Sequence, residues 1–142
     1  MPKPADPFTG TWNFNTKRSR LSTPLPRKWV QLIVATPEEL VVRESIVRFD
    51  GSKSEVSVSA RFDGSDYPIY GFPLADFMAY TRTGDSTIVG TGRKNGVVVL
   101  SETVSLSPDG RFLSLVYSVQ NAASPVSRGL AVFDRETQSF SR

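Results

Sequence analysis

The chain has 142 residues, with no cysteine and no histidine, and its 17 basic and 14 acidic residues leave a net charge of +3. This length suits one domain, and the missing residue types exclude disulfides and thiolate chemistry and remove the commonest general base and metal ligand. Because the basic residues form no block and no apolar run approaches the ~18 residues of a spanning helix, we expect neither a nucleic-acid partner nor a membrane span.

The N-terminal segment carries no apolar core of the kind found in a signal peptide. Residues 1–7 hold three prolines, which predict a short extended arm before the first strand. Two compartments stay open. The protein is cytoplasmic if Met1 is the natural start, and exported if a signal peptide was removed before this point.

A series of β-strands follows the arm, separated by turn residues. The strands are predicted over residues 9–16, 27–36, 40–49, 55–62, 67–70, 75–83, 87–94, 97–106, 112–119 and 126–135. Residues 17–26 contain Pro24 and Pro26 and predict a loop. Asn95-Gly96 is the strongest hairpin signal, because both central residues of a type I′ turn need positive φ.

The order of these segments indicates an all-β protein, since none of them combines a helical period with an N-cap. A closed barrel and a two-sheet sandwich would both satisfy the pattern. The short links favour pairing between chain neighbours, and a long meander removes its free edges by closing. We therefore predict one domain over residues 1–142, a single antiparallel up-and-down (meander) β-barrel of about 8–10 strands with room for one small ligand. Residues 137–142 form a polar tail.

The first strand resembles that of the calycin superfamily, the lipocalins and fatty-acid-binding proteins. The resemblance rests on Phe8-x-Gly10-Thr11-Trp12 followed by a ten-strand meander. It implies a lipocalin-like barrel whose base is closed by this strand, with Trp12 packed there as a structural plug. Bacterial lipocalin-like barrels are also similar in two short segments, Phe62-Asp63-Gly64-x-Asp66-Tyr67-Pro68 and Ala131-Val132-Phe133-Asp134-Arg135.

The resemblance to fatty-acid-binding proteins has two departures. Those proteins place a two-helix lid after the first strand, and residues 17–26 are too few for one. They also grip a carboxylate with Arg-x-Tyr on the last strand, whereas Arg128 here precedes Leu130 at that spacing. The lipocalin branch is therefore the better comparison, and the resemblance does not favour a fatty acid as ligand.

Polar residues in the apolar register of the strands are the candidate site. We take the more apolar side of each strand as inward, which places Glu44, Glu102, Tyr117 and Arg128 inside the barrel. A tight turn at residues 107–110 would put Glu102 nearly opposite Leu115 and diagonal to Tyr117. A loop at residues 120–125 would put Tyr117 nearly opposite Arg128, so that three of these residues form one polar line on an apolar wall.

A purely structural interpretation stands beside this one. Glu102 and Arg128 would then neutralise each other, since a buried charge demands a partner, and Tyr117 would be an ordinary wall residue. A solvated outer face accounts for three further polar residues, namely Tyr80, Arg82 and Arg93. Gly90 and Gly92 lie on one face of their strand and permit a bend or a close contact.

Three functions remain open at this point. The first is binding of a small, mostly apolar ligand, with Arg128 and Tyr117 holding its polar end. The second is an isomerase or cyclase in which Glu102 or Glu44 acts as general acid or base, with its pKa raised by burial. The third is a filled barrel that contacts other proteins. We expect no cofactor and no metal, because the acidic residues are scattered, and the oligomeric state stays open.

Overall fold

The computed structural model of the chain describes residues 5–121 and 124–137. Within these residues there are eleven strands and no helix. The strands are β1 (Gly10–Phe14), β2 (Arg20–Leu21), β3 (Lys28–Ala35), β4 (Glu39–Val47), β5 (Lys53–Arg61), β6 (Tyr67–Tyr70), β7 (Phe77–Arg82), β8 (Thr87–Lys94), β9 (Val97–Leu106), β10 (Phe112–Asn121) and β11 (Ser124–Arg135). Residues 1–4 of the predicted arm and 138–142 of the predicted tail lie outside the described residues.

Ten of the strands close into one antiparallel barrel. From β3 to β11 each strand pairs with the next, and β1 pairs with β3 on one side and with β11 on the other. The ring closes through pairs such as Phe14 with Phe133. The predicted all-β meander barrel is therefore confirmed, and the two-sheet sandwich is excluded.

The turn residues and the alternation of side chains account for most strand boundaries. Asn95 and Gly96 have φ angles of 51° and 76°, as the two-residue hairpin between β8 and β9 requires. In β5 the buried residues Val56, Val58 and Ala60 alternate with more exposed ones. Both features follow from local chemistry, so these elements were predictable from the sequence.

Residues 17–26 depart from the predicted loop, because β2 pairs with β11 beside β1. The buried hydroxyl of Ser19 joins the two short strands. Its Oγ donates to the carbonyl oxygen of Asn15 at 2.7 Å and accepts from the backbone N–H of Val132 at 2.9 Å. A side-chain hydroxyl here replaces a backbone partner, so β1 and β2 act as one interrupted strand.

Trp12 closes the base of the barrel. Trp12 and Phe8 are both 0% exposed, and the indole Nε1 donates to the carbonyl oxygen of Phe8 at 3.0 Å. The guanidinium of Arg135 lies 4.2 Å from the centre of the indole and donates to the carbonyl oxygen of Thr9 at 2.8 Å. Residues 8–12 and the end of β11 are thereby held together at the base.

The N-terminal arm also differs from the prediction, since residues 5–8 turn back across the base. The backbone N–H of Thr9 donates to the carbonyl oxygen of Asp6 at 2.9 Å. The carboxylate of Asp6 pairs with Arg82 at 2.7 Å, and both side chains are largely buried. Arg82, expected on a solvated face, lies over the ring of Phe8 instead. A buried ion pair thus holds the segment in place.

Candidate functional site

The interior of the barrel is hollow, with a cavity of about 510 Å³. Phe8 forms its floor, and Arg48 and Leu74 stand at the opposite end, in loops that follow β4 and β6. Most of the wall between floor and mouth is made by aliphatic side chains such as Val58 and Leu115. The cavity therefore offers an apolar enclosure that is open at one end of the barrel.

A row of polar side chains crosses one wall of this cavity. Tyr80 on β7 pairs with Gly90 on β8, which pairs with Glu102 on β9; Glu102 pairs with Tyr117 on β10, and Tyr117 with Gly129 on β11. Directly paired residues project to the same face of a sheet, so the side chains of Tyr80, Glu102 and Tyr117 all face the cavity.

The two glycines of the row make room for the larger side chains. A methyl group on Gly90 would lie 2.9 Å from both Glu102 Oε1 and Tyr80 Cε1. One on Gly129 would lie 2.6 Å from the Tyr117 hydroxyl oxygen. Since real contacts of a Cβ are longer, Glu102 and the tyrosines lie closer to the glycine backbone than a side chain at either position would allow. The prediction of close contact at Gly90 anticipated this.

The turn at residues 107–110 was predicted too short. The error changed which residues lie opposite each other on β9 and β10, but not the face of the sheet to which each side chain projects. The backbone N–H of Ser107 donates to the carbonyl oxygen of Phe112 at 2.9 Å, so the connection includes residues 107–111. Tyr117 consequently stands directly opposite Glu102, where a diagonal relation was expected. A shift of two residues keeps every side chain on its face.

Arg128 was predicted inside the cavity, and that prediction is wrong. Strands β10 and β11 extend to Asn121 and Ser124, so the connection is shorter than the predicted loop. Arg128 therefore pairs with Ser118 and its side chain is exposed on the outer face. A shift of one residue moves a side chain to the opposite face of a sheet. Glu102 and Arg128 cannot neutralise each other across the wall.

Glu44 projects into the same cavity from β4. Its Oε1 accepts hydrogen bonds from Trp29 Nε1 at 2.8 Å and from Gln31 Nε2 at 3.1 Å. Burial raises the pKa of Glu44, and the two hydrogen bonds partly oppose that rise. Its partners on β3 are neutral donors, so they orient the carboxyl group without cancelling its charge.

Glu102 is the second carboxyl group of the cavity, and its pKa is strongly raised. Burial, together with the charge of Glu44, raises the pKa of Glu102 from 4.5 to about 8. No hydrogen bond to its carboxyl group occurs among the described residues. The group is enclosed by protein, and the part of its surface that stays accessible faces the cavity. Near neutral pH it is therefore mostly protonated and available to a molecule inside.

Sequence reasoning missed several polar residues of the cavity, among them Tyr80, Trp29 and Gln31. Tyr80 was expected on the outer face, but it is 5% exposed, and burial together with the charge of Glu102 raises its pKa well above 10. Trp29 and Gln31 were missed because the more apolar side of β3 was taken as inward. That side carries Leu32 and Val34, which are 48% and 60% exposed. In a barrel whose cavity contains some polar side chains, the more apolar side of a strand does not reliably indicate which side faces inward.

Within residues 5–121 and 124–137, no group of acidic residues is placed to hold a metal ion. The same part of the chain contains no helix long and apolar enough to cross a membrane. No protein-family model matches the sequence, and a search of curated proteins finds no significant match.

Proposed function

We propose that the protein binds one small, mostly apolar molecule inside the barrel. The observation that carries this proposal is the cavity of about 510 Å³, which falls in the range of roughly 300–1,000 Å³ typical of ligand sites. Its apolar wall and few convergent polar groups match the usual composition of such sites. Glu102, Tyr117 and Glu44 would hold the polar part of the ligand, and Arg128 has no place in that role.

Fluorescence of the neutral, environment-sensitive dye Nile red tests this proposal. We expect saturable binding of one dye per protein, with a blue-shifted emission, because the dye would leave water for an apolar enclosure. Val104→Phe should weaken binding, since Val104 lines the cavity. Val116→Phe is the matched control, because Val116 lies on the neighbouring strand and is 55% exposed on the outer face. A dye that fails to bind would favour the filled barrel.

Gly129→Ala should narrow the cavity from its wall. The backbone of Gly129 does not have the positive φ that would strain an alanine, but the new methyl group would collide with the Tyr117 ring. We expect the ring to move into the lumen, stability to fall by about 1 kcal/mol, and dye affinity to drop. Dye titration and thermal unfolding measure the two effects. Arg128→Ala is the neighbouring control, and unchanged dye binding in Gly129→Ala would contradict the packing described here.

A calycin-type barrel of the lipocalin branch is the family relationship that we propose. The buried Trp12 at the base, in the strand that starts with Gly10-Thr11, and the closed meander support it. The described residues between β1 and β3 contain no helical lid. A crystal structure that superimposes on lipocalins with the same strand order and the same buried tryptophan would test the relationship. A different order of strands would refute it.

Acid–base catalysis in the cavity is the second candidate function. The pKa of about 8 for Glu102 favours it, because a general acid or base acts best when its pKa lies near the working pH. The reaction would be an isomerisation or cyclisation of an apolar substrate, with Glu102 moving the proton. For a substrate found by screening, Glu102→Gln should abolish turnover and leave binding intact. Turnover that survives this substitution would remove Glu102 from the catalytic role.

A further inference from the structure

We infer that the ligand of this cavity is an organic cation, an apolar body bearing a protonated amine that is held between Glu102 and Glu44. The inference rests on the proposed binding function and adds the charge of the ligand's polar part. It starts from the charged residues that face the cavity. These are the carboxyl groups of Glu102 and Glu44 in its interior and the guanidinium of Arg48 at its mouth.

Arg48 is engaged away from the two carboxyl groups. Its guanidinium donates to the hydroxyl groups of Ser52 and Ser54, in the loop and strand beside it. The guanidinium of Arg48 stands at the rim, so the body of a ligand that reaches the floor would lie below this guanidinium. The described interior therefore holds two carboxyl groups and no matching cation.

The carboxyl oxygens have hydrogen-bonding capacity that the protein does not use. Trp29 and Gln31 both donate to the same oxygen of Glu44, Oε1. Within the described part of the chain no donor reaches the other oxygen of Glu44 or either oxygen of Glu102. An ammonium group has three donors and no acceptor, so it complements these oxygens. A ligand carboxylate has no donor for these oxygens, and either glutamate would repel it when ionised.

Aromatic rings flank the acidic pair and suit the same ligand. Tyr80 and Tyr117 stand on either side of Glu102 in the polar row, and Trp29 lies beside Glu44. The faces of tyrosine and tryptophan rings attract cations, most strongly where water is excluded. The remaining wall is aliphatic, which fits an uncharged hydrocarbon body. Charge, donor count and ring placement thus point to one chemical class.

Three probes of equal length separate this inference from binding in general: octylamine, octanol and octanoate, each competing with Nile red. We expect octylamine to displace the dye at a concentration roughly tenfold or more below that of octanol, since hydrogen bonds to a charged group are the stronger ones, and octanoate to be the weakest. Equal potency of the amine and the alcohol, or preference for octanoate, would overturn the inference while dye binding left the proposed function standing. Absence of dye binding would instead defeat the proposed function.

Substitutions of Glu102 and Glu44 test whether their carboxyl groups cause the preference for the amine over the alcohol. Glu102→Gln and Glu44→Gln keep side-chain size, and each should reduce the preference for the amine over the alcohol, with the double variant abolishing it. Glu38→Gln, an exposed residue in the turn before β4, is the control. A preference that survives in the double variant would show that the rings or the rim hold the cation, which contradicts the role assigned to the carboxyl groups.

Proton release from the unaltered protein gives a test that needs no variant. Glu44 faces Glu102 across the cavity, Tyr80 and Tyr117 flank it on its own wall, and Arg48 stands at the rim. The pKa of Glu102 is about 8 without ligand. An ammonium group would lower that pKa, so Glu102 would release its proton when octylamine binds at pH 7. Calorimetry in phosphate and in Tris should then give different binding enthalpies, because the buffer takes up the released proton. If nearly one proton is released, the difference approaches that between the ionisation enthalpies of the two buffers. Identical enthalpies in the two buffers would count against the inference.

Discussion

Trp12→Ala is expected to lower the free energy of unfolding by about 3–5 kcal/mol, the usual cost of deleting a buried tryptophan side chain. The indole is fully buried, and its loss also removes the hydrogen bond to Phe8 and the surface on which Arg135 rests. For a domain of this size the melting temperature should fall by roughly 10–20 °C. Thermal unfolding followed by circular dichroism measures the change.

Phe49→Ala serves as the control for this substitution, because it also deletes an aromatic side chain. Phe49 is 57% exposed in a loop at the mouth, so its removal should shift the melting temperature little. Trp12→Phe should fall between the two, since it keeps part of the apolar volume and loses the indole N–H. Similar melting temperatures for all three variants would show that the base does not depend on Trp12.

Stability should fall as the pH rises from 5 to 9, because Glu102 has a raised pKa in the folded chain. Its ordinary pKa of 4.5 applies after unfolding and the folded value is about 8. Between these values the folded chain binds more protons than the unfolded chain, so the stabilisation present below pH 4.5 is lost as the pH passes 8. The total change is roughly 3–5 kcal/mol for such a difference in pKa. Urea unfolding at several pH values measures it.

Glu102→Gln should flatten this dependence and make the variant more stable than the original chain at pH 9. A smaller slope of the same sign should remain, because burial also raises the pKa of Glu44. Hydrogen bonds lower the pKa of exposed aspartates such as Asp50 and Asp109. These groups therefore change the stability only at pH values below the range of 5 to 9. If the two proteins give the same profile, the carboxyl group of Glu102 does not stay protonated in the fold.

The barrel was predictable because its strands and turns are determined by residues close together in the sequence. Turn residues such as Asn95-Gly96 and the strict alternation of β5 specify hairpins between chain neighbours, and neighbours that all pair produce a closed meander. The short strand β2 was missed because its position depends on a hydrogen bond between Ser19 and Val132, two residues that are distant in the sequence. Contacts of this kind leave no periodic signal.

The candidate site was predictable only in part, for reasons of register. Glu102, Tyr117 and Glu44 face the cavity as predicted, because an error of two residues in a turn preserves the face. The prediction for Arg128 was wrong because the register across the next connection, between β10 and β11, was in error by one residue. Tyr80 was missed because its place in the row depends on Gly90, a residue without a side chain to indicate which face is inward.

Residues 5–9 and the end of β11 meet at the base, where Arg135 holds Thr9 and the backbone N–H of Glu136 donates to Thr11. The mouth lies at the opposite pole, lined by Arg48 and Leu74. An attachment point within either of these chain segments would therefore lie far from the opening. Molecules immobilised on a sensor chip through such a point would have their entrances toward the flowing sample, which suits the protein to label-free screening of compound libraries.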